Sequence, residues 1–435
     1  MKPTPVKKLL LTFFIFFLIS PGIKSEFDKK ILKFEKDDTL KEIRIKIEHN
    51  GYQFKVSHNW VFDMTPEQKN TFYGRHPSKP KVRVTHLADD IGPLAYHLGQ
   101  KTLPDKFDWR NHNGHSYIGA IRDQGYCGSC YAFAAAAAAE GTYNLAMERY
   151  DANCIDLSES FIIWCLGSLP QYYPHFFGCD GADYDYMELQ AMVDYGIVRE
   201  SDFPYTTFYP GSCTHWNDSM IKFSNWHRIP CGDIDAIKTA IMTYGVVDAA
   251  VLVSNAFEAY DSGIYQDSYD SCFASPCYYT PTDHAISLVG WDDTDQAFIL
   301  RNSWDTYWGE NGYMRIKYNS AVVACEACYL VISDIILQLS VTREELNIWV
   351  FDQQYADVEL TVDKRNSVDV WKYIIYKKES IGSYQALQEI YDSDLQDGSF
   401  SFVDKYLDKT QTYTYKVVAF DSNNFILASS GEITI

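Results

Sequence analysis

Two cysteines three positions apart, Cys127 and Cys130 in QGYCGSCYAFAAAAAAEG (residues 124–141), are the first residues whose type and spacing could do chemistry. Such a pair suits thiol–disulfide exchange, half of a zinc site, or two sulfurs with separate tasks. Redox pairs follow a strand in an α/β unit, whereas the preceding GAIRDQGY reads as a loop. A zinc site would draw on Cys325 and Cys328, but Cys325 lies 195 residues beyond Cys130, against about 15–20 residues between the pairs of ordinary zinc motifs. Neither metal nor cofactor is therefore expected. In the third reading Cys130 opens a helix, whose positive end favours a thiolate, and a nearby imidazolium would lower the thiol pKa further.

A thiolate nucleophile needs a base, a group that orients the base, and donors where negative charge develops. His284, in PTDHAISLVGWDD, stands at the start of an apolar run that could carry its ring into a cleft. Asn302, in ILRNSWDTYWGENGYMRIKY, is followed by Trp304 and Trp308. Alone, either residue is more commonly structural. Together with QGYCGSCYAF and in this order, the three segments closely resemble the papain-like cysteine peptidases. The local signature of that family is Cys-Gly-[Ser/Ala]-Cys-[Trp/Tyr], with His and Asn roughly 130–150 residues on. Here they follow Cys130 by 154 and 172 residues. Two long segments, Cys165 to Cys179 and Gln266 to Asp283, account for the excess.

The resemblance covers roughly residues 40 to 335 and implies roles by position. Cys130 would be the nucleophile, paired with His284, which later protonates the leaving amine. Asn302 would orient the imidazole, and Gln124 would stabilise the oxyanion together with the Cys130 N–H. Trp304 would shield the His–Asn bond. The resemblance also implies disulfides Cys127–Cys179 and Cys165–Cys213. Beyond the nucleophile, ten of the eleven cysteines remain, enough for five bridges, with Cys154, Cys231, Cys272, Cys277, Cys325 and Cys328 unassigned.

For substrate, Gly181 and Ala182 match a glycine pair that binds substrate backbone, and the Ala182 methyl would narrow the cleft. Tyr184, Ala250, Thr282, Ala285 and Leu330 would line the pocket for the second residue before the scissile bond, so apolar or aromatic side chains are expected there. Tyr131 and Asp305 depart from the Trp and Gly usual at those positions. On the amino side, EIRIKIEHNGYQFKVSHNWVFDMTPEQKNTFYG resembles the family's inhibitory propeptide, which would fill the cleft until removed. Acid would help release it by neutralising the carboxylates that hold it.

These residues need elements to position them. Strong helix formers continue past Cys130 for more than three turns, and the alanine run Ala134–Ala139 lets a neighbour approach closely. Further helices are expected from Ser158, as N-cap, and over Tyr186 to Tyr195. VVDAAVLV, HAISLVGWD, AFILRNS and GYMRIKY read as strands. The implied class is α+β, a papain-like two-lobed fold with a helical lobe, a β-barrel-like lobe and the site between them. Beyond residue 336, period-two runs such as Val358, Leu360, Val362 and Tyr413, Tyr415, Val417 indicate an all-β sandwich resembling fibronectin type III or immunoglobulin-like modules.

Lys2, Lys7 and Lys8, the apolar run Leu9 to Ile19 and small Ser25 have a signal-peptide layout. The expected organisation is signal peptide 1–25, inhibitory propeptide 26–102, peptidase 103–335 and sandwich 336–435. Asn217-Asp218-Ser219 is a glycosylation sequon. A net charge of −20 argues against nucleic acid or anionic membrane as partner. The expected protein is a monomeric secretory-pathway zymogen, lysosome-like or extracellular, acting on peptides, inhibited by its own propeptide, with an unidentified partner of the sandwich. It would be an endopeptidase; an exopeptidase on the same fold and a non-catalytic adhesion protein are the alternatives.

Overall fold

The computed structural model describes residues 30–73, 94, 98, 102–183, 186–213, 220–268, 282–332, 335–348, 351–364, 370–380, 382–396, 398–408, 410–420, 426–430 and 432–435. The signal segment, Tyr184, Asn217, Cys272 and Cys277 lie outside them, as does most of the 266–283 segment.

Two short helices come first, α1 (Leu40–Asn50) and α2 (Pro66–Phe72). Each opens on a capping box, Thr39 with Glu42 and Thr65 with Gln68, which satisfies backbone N–H groups that a helix start leaves unpaired. The long helix α3 (Cys130–Ala146) follows, then α4 (Met187–Tyr195), α5 (Ile234–Tyr244) and the single turn α6 (Asn255–Glu258). Ser158 caps as expected, its Oγ accepting from Phe161 N–H at 3.0 Å, and the chain then makes a π-helical turn at Phe161–Cys165.

Helix α3 is buried over most of its circumference, as a helix apolar all round must be. Ala132, Ala135, Ala136 and Ala139 enter the core of the helical lobe, while Ala134 and Cys130 touch Ala285 of the other lobe. Close approach continues at Gly141, where a Cβ would lie 2.3 Å from Val246 Cγ2. Gly245 meets the same turn with φ +104°, and its Cβ would sit 2.7 Å from the Gly141 carbonyl oxygen. Only glycine fits at both positions.

The strands of the second lobe are β1 (Gln53–Val56), β2 (Lys106–Asp108), β3 (Asn225–Arg228), β4 (Val247–Val251) and β5 (Tyr260–Tyr265). They continue with β6 (His284–Asp292), β7 (Ala297–Arg301), β8 (Tyr313–Lys317) and β9 (Ala327–Val331). Their order is β1-β5-β8-β7-β6-β4-β9-β3, with β2 on β6, and β5–β8 is the parallel pair. Among the described residues this path stays open rather than closing into the barrel-like lobe expected. The outer edge of β5 is instead covered by β1, from the N-terminal segment, which hides an otherwise exposed row of backbone groups. Gly263 permits that pairing: its φ is +97°, and a Cβ would lie 2.5 Å from the Gln53 carbonyl oxygen.

Disulfides join Cys127 to Cys179 and Cys165 to Cys213, and Cys231 and Cys325 are also disulfide-bonded. Five bridges are not reached. Cys154 and Cys328 are thiols alongside Cys130; the Cys154 Sγ instead donates to the Ser116 carbonyl at 3.5 Å.

The C-terminal region carries β10 (Ile335–Ile348), β11 (Phe351–Lys364), β12 (Lys372–Glu379), β13 (Gln385–Tyr391), β14 (Ser399–Leu407), β15 (Tyr413–Phe420), β16 (Ile426–Ser429) and β17 (Ile433–Thr434). One sheet is β10-β11-β14; the other is β13-β12-β15-β16, with β17 on β15. Val358, Leu360, Tyr373, Ile375, Tyr415 and Val417 form one core. The Tyr413 hydroxyl accepts the Asp408 N–H at 2.8 Å, a tie of the tyrosine-corner kind. Lys416 reaches back to Glu148, just beyond the end of α3, at 2.5 Å.

Adding a methyl where α3 meets Val246 should cost more than the usual helix gain from Gly to Ala. We expect Gly141→Ala to lower unfolding free energy by about 1–3 kcal/mol, read from the denaturant midpoint. An unchanged or raised midpoint would show that the contact yields without strain.

Candidate active site

Cys130 is the first residue of α3 and is fully buried; its Sγ lies 3.4 Å from the Ala285 backbone N–H. His284 opens β6 one residue earlier, so strand pairing fixes the imidazole beside the helix start. Asn302 follows β7, which pairs with β6, and its Oδ1 lies 2.8 Å from His284 Nε2. The Trp304 ring stacks on the imidazole with centroids 4.5 Å apart and is itself fully buried. Trp308 meets Trp304 edge-on at 5.0 Å.

A buried ion pair ties the supports of these residues together. Arg301, one residue before Asn302, pairs with Glu140 of α3 at 3.4 Å and donates to the Ala120 carbonyl at 2.6 Å. Glu140 also accepts the Leu157 N–H at 3.0 Å. Burial pushes the Glu140 carboxyl up, and the Arg301 charge opposes that shift.

Gln124 is buried with its amide held in one orientation. Its Oε1 accepts from Ser303 Oγ at 2.7 Å, and its Nε2 donates to the Cys127 carbonyl at 2.9 Å and the Phe72 carbonyl at 3.1 Å. Tyr205 braces the same loop, donating to the Gln124 carbonyl at 2.9 Å and lying 2.9 Å from Ser129 Oγ. The buried Tyr131 donates to the Gly178 carbonyl at 2.9 Å, so this substitution for Trp anchors α3 to the turn before Cys179. Asp305 takes φ +61°, which explains a glycine preference there; its carboxylate accepts the next backbone N–H, which lets aspartate adopt the same conformation.

The expected substrate-binding residues lie on several elements around Cys130. Gly181 has φ +101° and follows the turn that holds Cys179. Ala182 is fully buried and belongs to the core cluster of the helical lobe while the N-terminal segment is in place. Ala250 and Ala285 are cross-strand partners, and Ala285 touches Cys130. Leu330 belongs to the helical-lobe core, and Thr282 donates to Glu326 at 2.9 Å. The sequence reading gave no role to Ser303, Tyr205, Glu140 or Glu258, although Ser303 lies inside the quoted Asn-Ser-Trp segment.

The N-terminal segment covers this site. Phe72 packs on Trp304 at 5.4 Å and on Trp60 at 5.6 Å, and Trp60 Nε1 donates to the Trp304 carbonyl at 3.1 Å. The Tyr73 ring meets His284 edge-on at 6.4 Å, and its hydroxyl reaches Glu258. Lys69 pairs with Glu258 at 2.5 Å and Lys36 with Asp283 at 3.1 Å. Asn59 Nδ2 donates to the Glu258 carbonyl at 2.8 Å.

Burial pushes the carboxyls of both Glu258 and Asp283 up, against the lowering effect of their lysines. A carboxyl raised above its unfolded value stabilises the fold below that value and loses the contribution as pH rises through the folded one. For folding, burial of these two groups therefore adds stability toward acid, while each lysine pulls its partner in the opposite direction. Glu42 has the opposite sign. Its hydrogen bond from the Thr39 side chain lowers it, so its support of α1 is present at neutral pH and lost as pH falls through the lowered value.

Among the described residues no group of three or more His, Cys, Asp or Glu side chains is arranged to hold a metal, and no helix is long and apolar enough to cross a membrane.

Residues 103–333 match the family described as papain family cysteine protease. Cysteine proteinase COT44 of Brassica napus is 30% identical over 321 residues, covering 71% of this chain and 90% of the relative. Germination-specific cysteine protease 1 of Arabidopsis thaliana is 29% identical over 320 residues, covering 71% and 78%. Digestive procathepsin L 3 of Tenebrio molitor larval midgut superposes with a TM-score of 0.52 at 26% identity, over 67% of this chain and 87% of that one. The chain belongs to the papain family of cysteine proteases and is a hydrolase.

Removing Lys69 would leave Glu258 buried without that cation and raise its pKa further. We expect Lys69→Gln to destabilise the chain by about 3 kcal/mol at neutral pH and by less in acid, as the raised carboxyl takes up its proton. Thermal unfolding at the two pH values measures this, and an equal loss at both would remove the charge explanation.

Proposed function

We propose that this chain is a cysteine endopeptidase made as a zymogen, with residues 26–102 as a removable inhibitory propeptide and residues 103–335 as the peptidase. Supporting this most directly is a backbone carbonyl of the N-terminal segment seated on the Gln124 amide, with the next side chain against His284. A substrate carbonyl would take the same donor in the opened cleft.

In this reading the Cys130 thiolate attacks the scissile carbonyl carbon. The oxyanion is held by Gln124 Nε2 and the Cys130 N–H. The C–N bond breaks as His284 gives its proton to the departing amine, leaving a thioester. Water then attacks the thioester with His284 as base, and the thiolate is restored. Asn302 holds the imidazole through the 2.8 Å contact at Nε2, and Trp304 keeps water from it. Ala250 and Ala285, small and adjacent, support the preference for an apolar residue two positions before the scissile bond. The disulfides and the family's zymogen-like neighbours support a secretory or lysosome-like compartment. Comparing cleavage of N-blocked and free peptides separates endopeptidase from exopeptidase action.

We expect Cys130→Ser to keep the unfolding midpoint of the zymogen while peptide hydrolysis falls by roughly 10⁴-fold or more. Hydrolysis retained in that variant would refute the nucleophile. A thiol-directed epoxide applied after propeptide removal should label Cys130, located by peptide mass spectrometry. Labelling at Cys154 or Cys328 instead would point to another reactive thiol.

A further inference from the structure

Glu258 and Asp283 are both buried carboxylates beside the candidate base, Asp283 directly preceding His284 and Glu258 one tyrosine ring away through Tyr73. Among the described residues, the cations that pair with them, Lys69 and Lys36, both belong to the segment that the proposed maturation removes. Their remaining contacts are few. Asp283 Oδ1 accepts the Val253 N–H at 2.8 Å, whereas the Glu258 carboxylate is met by Lys69 and the Tyr73 hydroxyl. The Glu258 backbone carbonyl is held separately by Trp308 Nε1 at 2.9 Å, so α6 has an anchor in the peptidase itself.

Direction along the cleft follows from the chemistry. His284 must hand its proton to the departing amine, so residues after the scissile bond lie on the side of His284 and Trp304. Phe72 on Trp304 and Tyr73 on His284 occupy that side, and Lys69 extends from the same helix into Glu258. The propeptide thus fills a leaving-group-side pocket with a cation, a phenol and an aromatic ring.

We propose that Glu258, assisted by Asp283, is a specificity-determining residue whose vacated carboxylate takes a lysine or arginine side chain immediately after the scissile bond. The proposal rests on the zymogen reading above. A desolvated carboxylate prefers a cation that can also hydrogen-bond, and arginine would make two such bonds. A glutamate at that substrate position would meet like charge and be rejected.

The test is a set of peptides identical up to the scissile bond and varied after it to Lys, Arg, Gln or Glu, cleaved by the mature enzyme. We expect kcat/KM for Lys and Arg to exceed Gln by about tenfold and Glu by more. The Lys-to-Gln ratio should shrink at high salt and fall toward one in Glu258→Gln, whose folding is read from stoichiometric epoxide labelling. Equal rates across the set, a ratio unaffected by salt, or a preference kept in Glu258→Gln would overturn the proposal while leaving the peptidase reading intact. If no peptide is cleaved by the wild-type enzyme, the peptidase reading fails and the subsite with it.

Discussion

The Cys130 sulfur can lie 3.4 Å from the Ala285 N–H only because α3 and β6 approach as closely as two backbones with small side chains allow. That contact is the constraint on which the site depends. A bulkier residue at Ala134 or Ala285 would separate Cys130 from the strand that carries His284. The alanine run is thus a spacer set to minimal width, and the buried surface around it supplies the free energy that a slim helix alone would lack. Gly141 and Gly245 extend the same approach to the next strand, so the lobes meet along the helix rather than at one point.

A seam this tight between two lobes needs something to fix its register, since alanines slide past one another more easily than large interlocking side chains. Glu140 and Arg301 supply it. One lies on the helix that opens with Cys130 and the other directly precedes Asn302, so their pairing ties the element bearing the thiol to the element bearing that amide. A buried pair is not worth much as net stability, but breaking it strands a charge, which makes misregister costly. Tyr131 and Cys127 do similar work for the turn that carries Cys179 and Gly181, one through the Gly178 carbonyl and the other through a disulfide.

How much of this was legible in the sequence follows the range of each interaction. Capping residues, the helix after Cys130 and the strands around His284 and Asn302 rest on local patterns, and each lies close to where those patterns placed it. The residues expected around the substrate are harder to read from sequence. Ala182 and Leu330 are core residues of the helical lobe, because one methyl or one isobutyl group reads alike whether it lines a cleft or fills an interior. Glu258 was invisible for another reason: its partners Lys69 and Tyr73 are 189 and 185 residues away, and nothing local marks a glutamate as buried. The cysteine count likewise overstated the bridges, since a thiol can satisfy itself against a carbonyl, as Cys154 does with Ser116.

The covering segment joins these ranges. Its helices are capped by their own sequence, yet its position is set by contacts with the peptidase: a strand laid on β5, a tryptophan on the Trp304 carbonyl, a carbonyl on the Gln124 amide and two lysines on buried acids. Each of these occupies a group whose polarity or exposed edge would otherwise have to meet water or substrate. A segment seated this way reports on the surface beneath it, because a desolvated carboxylate tolerates only a partner of the right charge and reach. Lys36 and Lys69 of this segment therefore mark the charge of the surface they cover, and the most local part of the chain, a seven-residue helix with its own capping box, presents a cation to the least legible residue of the site.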